Sequence, residues 1–159
     1  MIRRFRLEDA QGCRSVFVMA VRIGAAGRYS EEERTTWVKD PTMPDGWGDW
    51  LHGHITFVAE GDDALDGFFM LEASGYLNMA FVRPEVMGKG VADALYAAIL
   101  TEAQALGLTR LHVLASRYAQ SFFARHGWHL APEIRDIEGL DPKQGPEDTP
   151  LNRVMVMGL

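Results

Sequence analysis

Cysteine is almost missing from this 159-residue chain: Cys13 is the one thiol. With no intramolecular partner, it excludes a disulfide framework and a multi-cysteine metal site. Its place in an apolar helical stretch predicts an inert core residue. Long hydrophobic runs are also lacking, since a stretch such as Val91 to Leu100 is broken by Asp93 and falls far short of a bilayer span. The opening MIRRFRLEDA has no apolar stretch of signal-peptide type and turns acidic at Glu8 and Asp9. A cytoplasmic protein with no membrane role is therefore expected. Excess positive charge is absent too, with 16 Lys and Arg against 22 Asp and Glu and a formal charge of −6. Nucleic-acid binding needs a cationic surface that displaces counterions from phosphate, so no nucleic-acid partner is expected. His52 and His54 lack cysteine or carboxylate companions, which excludes a metal site there, and none is expected elsewhere.

What the chain does have is an ordinary globular composition, 47% hydrophobic and 24% charged. Its length suits one compact domain with a real core, and neither a repeat nor a linker divides it, so residues 1–159 are read as a single domain. Residues 2–6 alternate apolar and basic, as a half-buried strand does. Cys13, Phe17, Ala20, Val21 and Gly24 line one face of a helix over about 10–25. Ser30 and Glu33 form a capping-box pattern for a second short helix reaching about Lys39, where Asp40-Pro41 ends it. Trp47, Trp50 and Leu51 fit a helix of one or two turns. Strands are expected at Ile55 to Glu60, Leu65 to Ala73 and Tyr76 to Val82, separated by Gly61-Asp62-Asp63 and Ser74-Gly75 turns. A long helix from Gly90 to Leu106 is stopped by Gly107. Then come a strand from Leu108 to Ala115, a helix from Ala119 to His126, a strand from Trp128 to Ile137, a polar loop from Gly139 to Pro150, and a closing strand from Leu151 to Met157. The order implies an α+β fold, a mixed and mostly antiparallel sheet with helices on its faces.

One segment carries chemistry: Phe81-Val82-Arg83-Pro84-Glu85-Val86-Met87-Gly88-Lys89-Gly90-Val91-Ala92 runs from a strand through a proline turn into the head of the long helix. Glycines allow close backbone approach, and the first N–H groups of a helix lack internal partners at the positive end of its dipole. A pyrophosphate suits such a place. Lys89 adds charge, and Ala92 leaves room beside the phosphates. A Rossmann fingerprint would need Gly or Ala where Asp93 stands, and a P-loop would need Ser or Thr in place of Gly90. Two glycines alone could equally serve only to turn the chain.

Val82-x-Pro84 followed by Gly88-x-Gly90-x-Ala92 resembles the central motif of the GNAT superfamily of acyl-coenzyme A N-acyltransferases, and the element order is similar over nearly the whole chain. The resemblance implies that Ala80, Phe81 and Val82 hold pantetheine through their backbone. It likewise implies that Met87, Gly88, Lys89, Gly90, Val91 and Ala92 hold the pyrophosphate. Met87 stands where Gln or Arg is usual, which alters contacts and leaves the backbone donors in place. A second block, Ser116 to Trp128, is similar to the family pattern Asn-x-x-Ala-x-x-x-Tyr-x-x-x-Gly-Phe. Ser116 falls at the asparagine, suited to the pantetheine arm. Phe123 falls at the tyrosine that often protonates the departing thiolate, and phenylalanine has no proton to give.

Acyl transfer to an amine needs a neutral nucleophile, donors for the developing oxyanion and a protonated leaving thiolate. Glu72 is the carboxylate nearest the end of the strand beside the expected coenzyme strand, which makes it the candidate base; a solvent-facing glutamate is the alternative. Tyr118 and His126 flank Phe123 as substitutes for the missing acid, although helical spacing puts neither on its face. His112, in an apolar strand, reads as a core histidine. Asn78 could orient water or acceptor. The family's acceptor pocket implies Tyr29, Trp37, Tyr76, Trp47 and Trp50 as lining candidates, some of them core. The expected reaction is acetyl transfer from acetyl-CoA to a small amine or peptide N-terminus in a ternary complex. Cationic acceptors suit the acidic chain, self-association into a homodimer is left open, and the rival reading is an acyl-CoA-binding module without turnover.

Overall fold

The alternation at the start of the chain produces β1 (Ile2–Arg4), after which a 3-10 turn (Leu7–Asp9) leads into α1 (Ala10–Met19). The computed structural model describes residues 1–24, 30–32, 38, 40–116, 119–131 and 153–159. Most of the helix expected from Ser30 to Lys39, and residues 132–152 of the expected sixth strand and polar loop, lie outside them. Asp9 fastens the helix to the strand. Its carboxylate accepts the Arg6 N–H at 2.7 Å and two guanidinium N–H groups of Arg3 at 2.8 and 2.9 Å. Glu60 takes the third edge of the same guanidinium.

The expected helix over 10–25 is not uniform: from Ala20 to Gly24 it widens into a π turn. The short helix expected around Trp47, Trp50 and Leu51 is α2 (Trp47–His52), entered through Gly46 in the left-handed region at φ 79°. Three strands follow, β2 (Ile55–Glu60), β3 (Leu65–Leu71) and β4 (Leu77–Val82). β3 stops two residues before Ala73, and Tyr76 leaves the meander to form a parallel bridge with His112. A 3-10 turn (Pro84–Val86) precedes α3 (Val91–Ala105). The positive φ of Gly107, with its N–H on Gln104 O and the Leu108 N–H on Ala103 O, closes that helix. β5 (Arg110–Ala115), α4 (Gln120–Arg125), β6 (His129–Leu130) and β7 (Arg153–Gly158) complete the described elements.

The chain forms two compact units, each drawn from separate stretches: Met1–Met70 with Met79–Thr101, and Leu71–Asn78 with Glu102–Leu159. In the first, the sheet order is β1-β2-β3-β4, with β1 antiparallel to β2 and Ile2 opposite Ala59. Cys13 and Val16 of α1 and Trp47 and Leu51 of α2 pack with Val58, Phe68 and Met70 on one sheet face. Gly67 points the other way, where an added Cβ would lie 3.1 Å from Leu95 of α3 and 2.8 Å from the Phe81 carbonyl oxygen. Helices thus cover both faces of this sheet, and only glycine permits the close approach at position 67.

In the second unit β7 is the central strand, antiparallel to both β5 and β6, with Leu111 opposite Met157 and His129 opposite Val156. Tyr76, Ala131, Val154 and Val156 form its core. The Tyr76–His112 bridge is parallel, as expected of a mixed sheet.

Candidate active site

The strand-to-helix passage that carried the motif is continuous within the first unit. On β4 the Phe81 ring packs edge-on against Phe17 at 4.8 Å and tilted against Phe68 at 6.0 Å, which fixes it on the α1 side. By strand alternation Ala80 and Val82 belong to the opposite face. Arg83 ends the pairing: its N–H goes to Asp66 O at 2.8 Å, and its guanidinium forms an ion pair with the Asp66 carboxylate. Pro84 starts the 3-10 turn, where its fixed φ and missing N–H cost nothing.

Gly88 and Gly90 then adopt φ of +76° and +85°, and an added Cβ at either would meet nothing within 4 Å. Neither glycine is there to relieve crowding inside the fold. Their open backbone faces are what a ligand lying on the loop requires. The first helical hydrogen bond of α3 runs from the Ala94 N–H to Gly90 O at 3.0 Å, so the N–H groups of Val91, Ala92 and Asp93 precede it. Lys89 is exposed beside them, while Met87, Val91 and Ala92 are half-buried. The donor set of backbone amides, helix dipole and one lysine fits a pyrophosphate.

The second block lies in the other unit. Ser116 sits just past β5, and its backbone and side chain meet the residues that lead into α4. Its Oγ accepts the Ala119 N–H at 3.2 Å, and its carbonyl accepts the N–H groups of Ala119 and Gln120. The Oγ bond engages one lone pair of the hydroxyl, and the O–H stays available to donate. Phe123 is 1% exposed, with its ring 4.8 Å from Trp128 and edge-on to Phe122 at 5.3 Å. The Phe122 ring also meets His126 at 4.7 Å. Tyr118, Tyr29 and Trp37 lie outside the described residues.

Around the β3–β4 turn the structure brings together three residues singled out separately. The half-buried Glu72 gives its N–H to Tyr76 O at 2.9 Å, and Asn78 Nδ2 donates to Glu72 Oε1 at 2.8 Å. Tyr76 is 5% exposed and stacks on His112, with centroids 5.3 Å apart and planes 6° off parallel. Burial, helped by the Glu72 charge, pushes its phenol up to about 12. Tyr76 is thus a core residue beside the candidate base. Trp47 is core as well, its indole N–H on Ala10 O at 3.0 Å, whereas Trp50 is half-buried between the rings of Trp47 and His54. Cys13 is fully buried, which pushes its thiol up to about 12.

Sequence reading missed the Glu72–Asn78 bond. The signal was two polar residues flanking Ser74-Gly75, but pairing them requires knowing the turn's length. It also missed the Arg83–Asp66 pair, which needs the β3–β4 register. Among the described residues no group of three His, Cys, Asp or Glu could hold a metal ion, and no helix is long and apolar enough to cross a membrane.

Comparison with known proteins identifies the family. Residues 25–141 match the model of the acetyltransferase (GNAT) domain. The uncharacterized N-acetyltransferase YafP of Escherichia coli (strain K12) is 28% identical over 134 residues, covering 84% of each chain. Among solved structures, a GCN5-related N-acetyltransferase from Rhodopseudomonas palustris superposes with a TM-score of 0.81 at 27% identity, covering 100% of this chain and 95% of that one. A PaiA N-acetyltransferase from Thermoplasma acidophilum, crystallised with coenzyme A, shares the fold with a TM-score of 0.74 at 18% identity over 100% of this chain and 98% of its own. With the family model covering well over half of its length, the chain belongs to the GNAT acetyltransferase domain family.

Proposed function

We propose that this protein transfers the acetyl group of acetyl-CoA to a primary amine of a small molecule or peptide N-terminus, by direct attack in a ternary complex. The observation that carries the reading is the open, positive-φ Gly88–Gly90 loop at the head of α3, directly after β4. The coenzyme's pyrophosphate lies against the backbone of Met87 to Ala92 with Lys89 alongside, and Ala80 to Val82 carry pantetheine by main-chain hydrogen bonds. Ser116 gives its hydroxyl proton to the pantetheine arm. The Phe123 position contributes packing and no proton.

Glu72 is the base. An alkyl ammonium, with a pKa near about 10, must be deprotonated before attack. Glu72 takes that proton and passes it to solvent, and the neutral nitrogen then forms the C–N bond. Main-chain N–H groups at Phe81 and Val82 stabilise the oxyanion. The C–S bond then breaks, and the second proton lost by nitrogen ends on sulfur. A coenzyme thiolate, comparable with a cysteine thiolate of pKa about 8.5, leaves without a dedicated acid. The buried Phe123 is compatible with this step for that reason. The net charge of −6 favours cationic amines as acceptors.

Titration calorimetry with acetyl-CoA, run beside thiol release over a panel of amines, tests the reading. Binding with release for at least one amine is expected. Binding with no release for any amine would leave an acyl-CoA-binding module, the reading that Phe123 favours. Failure to bind would overturn both.

A further inference from the structure

We infer that Asn78 is a positioning residue for acetyl transfer: its amide takes one oxygen of the Glu72 carboxylate and fixes the other toward the amine. The inference rests on the base role proposed for Glu72.

The first observation is the bond itself, Asn78 Nδ2 to Glu72 Oε1 at 2.8 Å. An amide nitrogen only donates, and a carboxylate only accepts, so the pair has one sense. The bond occupies Oε1, and the inference assigns the proton to the other oxygen, Oε2. The second is the rigidity of the frame. Glu72 is held at both main-chain groups, its N–H on Tyr76 O and its carbonyl accepting the Gly75 N–H, each at 2.9 Å. Gly75 in turn is pinned to β5, its carbonyl accepting the His112 N–H at 3.0 Å. Tyr76 adds the stacked contact with His112. The backbone beneath the pair is therefore fixed, while a glutamate side chain on its own would lose rotamer freedom on being ordered. Asn78, between the buried Leu77 and the half-buried Met79, is placed by its strand and supplies that order. The third is register. Asn78 precedes Ala80 by two residues on β4, so both belong to the same pleat face of the strand that the proposed function assigns to pantetheine.

A double-mutant cycle in kcat decides it, using acetyl-CoA and whichever amine of the panel turns over fastest. Asn78→Asp keeps the shape and replaces the donor with a second carboxylate; Asn78→Leu removes the donor without adding charge. Each is expected to lower kcat roughly 10- to 100-fold, the scale of one hydrogen bond to a charged group, with the KM for acetyl-CoA unchanged. Glu72→Gln is expected to lower kcat by roughly 10²- to 10⁴-fold. Glu72→Gln with Asn78→Leu should be no slower than Glu72→Gln alone, because the two act as a unit. Independent, multiplying losses would overturn the inference while leaving the base in place, as would wild-type kcat in Asn78→Asp. Wild-type kcat in Glu72→Gln would instead remove the base reading, and the inference with it. Melting temperatures of all four variants separate a fold defect, which lowers Tm and coenzyme affinity together, from the predicted loss confined to kcat.

Discussion

Gly75 shows how much one residue can decide in this molecule. Its φ is +92°, and a Cβ there would sit 2.5 Å from the Arg110 carbonyl oxygen, a backbone atom that cannot swing away. Gly75→Ala therefore combines backbone strain with a steric clash and should destabilise the protein by about 3 kcal/mol, read from the urea midpoint at constant m-value. Because the same turn carries Glu72 and Asn78, the variant should also lose turnover in proportion greater than its loss of folded protein. Phe123 is the opposite case, a position singled out by resemblance for the leaving-group proton that is 1% exposed between Phe122 and Trp128. Phe123→Ala should cost about 4 kcal/mol by the cavity it leaves. Phe123→Tyr would bury a hydroxyl against rings and should lower stability by about 1–3 kcal/mol without raising turnover, checked by thermal denaturation and thiol release. Residue type alone did not reveal these burials. Tyr76 and Trp47 read from sequence as pocket candidates because aromatic side chains serve cores and clefts alike. Their neighbours, His112 and Ala10 O, are distant in the chain.

At the scale of elements, the passage β4, proline turn, glycine loop, α3 was legible nearly residue for residue. Its signals are local: a strand pattern, Pro84, two glycines and a helix with a Gly107 stop all report on their own backbone. The π turn from Ala20 to Gly24 was not legible, since the apolar spacing of a widened turn continues that of the helix before it. Cross-strand pairs such as Glu72–Asn78 and Asp66–Arg83 depend on register, which the pattern of one strand does not contain. The glycine loop makes its own prediction. Gly90 holds φ +85° with open space around it, so Gly90→Val would strain the backbone and cover the face offered to the ligand. It should weaken coenzyme A binding at least tenfold by calorimetry while shifting Tm by only a few degrees. Lys89→Ala, losing an exposed charge, should weaken it about fivefold, and less at high salt.

For the whole molecule, buried ionisable groups set the pH limits of stability. Asp9 is held below the usual carboxylate range by the Arg3 guanidinium first and by the Arg6 N–H, against the cost of burial. Its folded pKa being lower than its unfolded one, its stabilisation is complete above about pH 4 and is lost as pH falls through the folded value. Asp9→Asn should destabilise the protein at pH 7 by about 2 kcal/mol and flatten the stability curve below pH 4. At the alkaline end Cys13 and Tyr76 act in the other sense. Burial pushes the thiol and the phenol each up to about 12, so the unfolded chain ionises first and stability falls as pH rises from about 9 toward 12. Denaturant titrations across both limbs check these slopes.

Acetyl transfer is tested most directly by single-turnover mass spectrometry of the protein with acetyl-CoA and the fastest amine of the panel. The amine should gain one acetyl group on nitrogen for each coenzyme thiol released, at a rate that falls by roughly 10²-fold or more in Glu72→Gln. Bound acetyl-CoA that remains intact with every amine, in a protein that folds and binds normally, would contradict it.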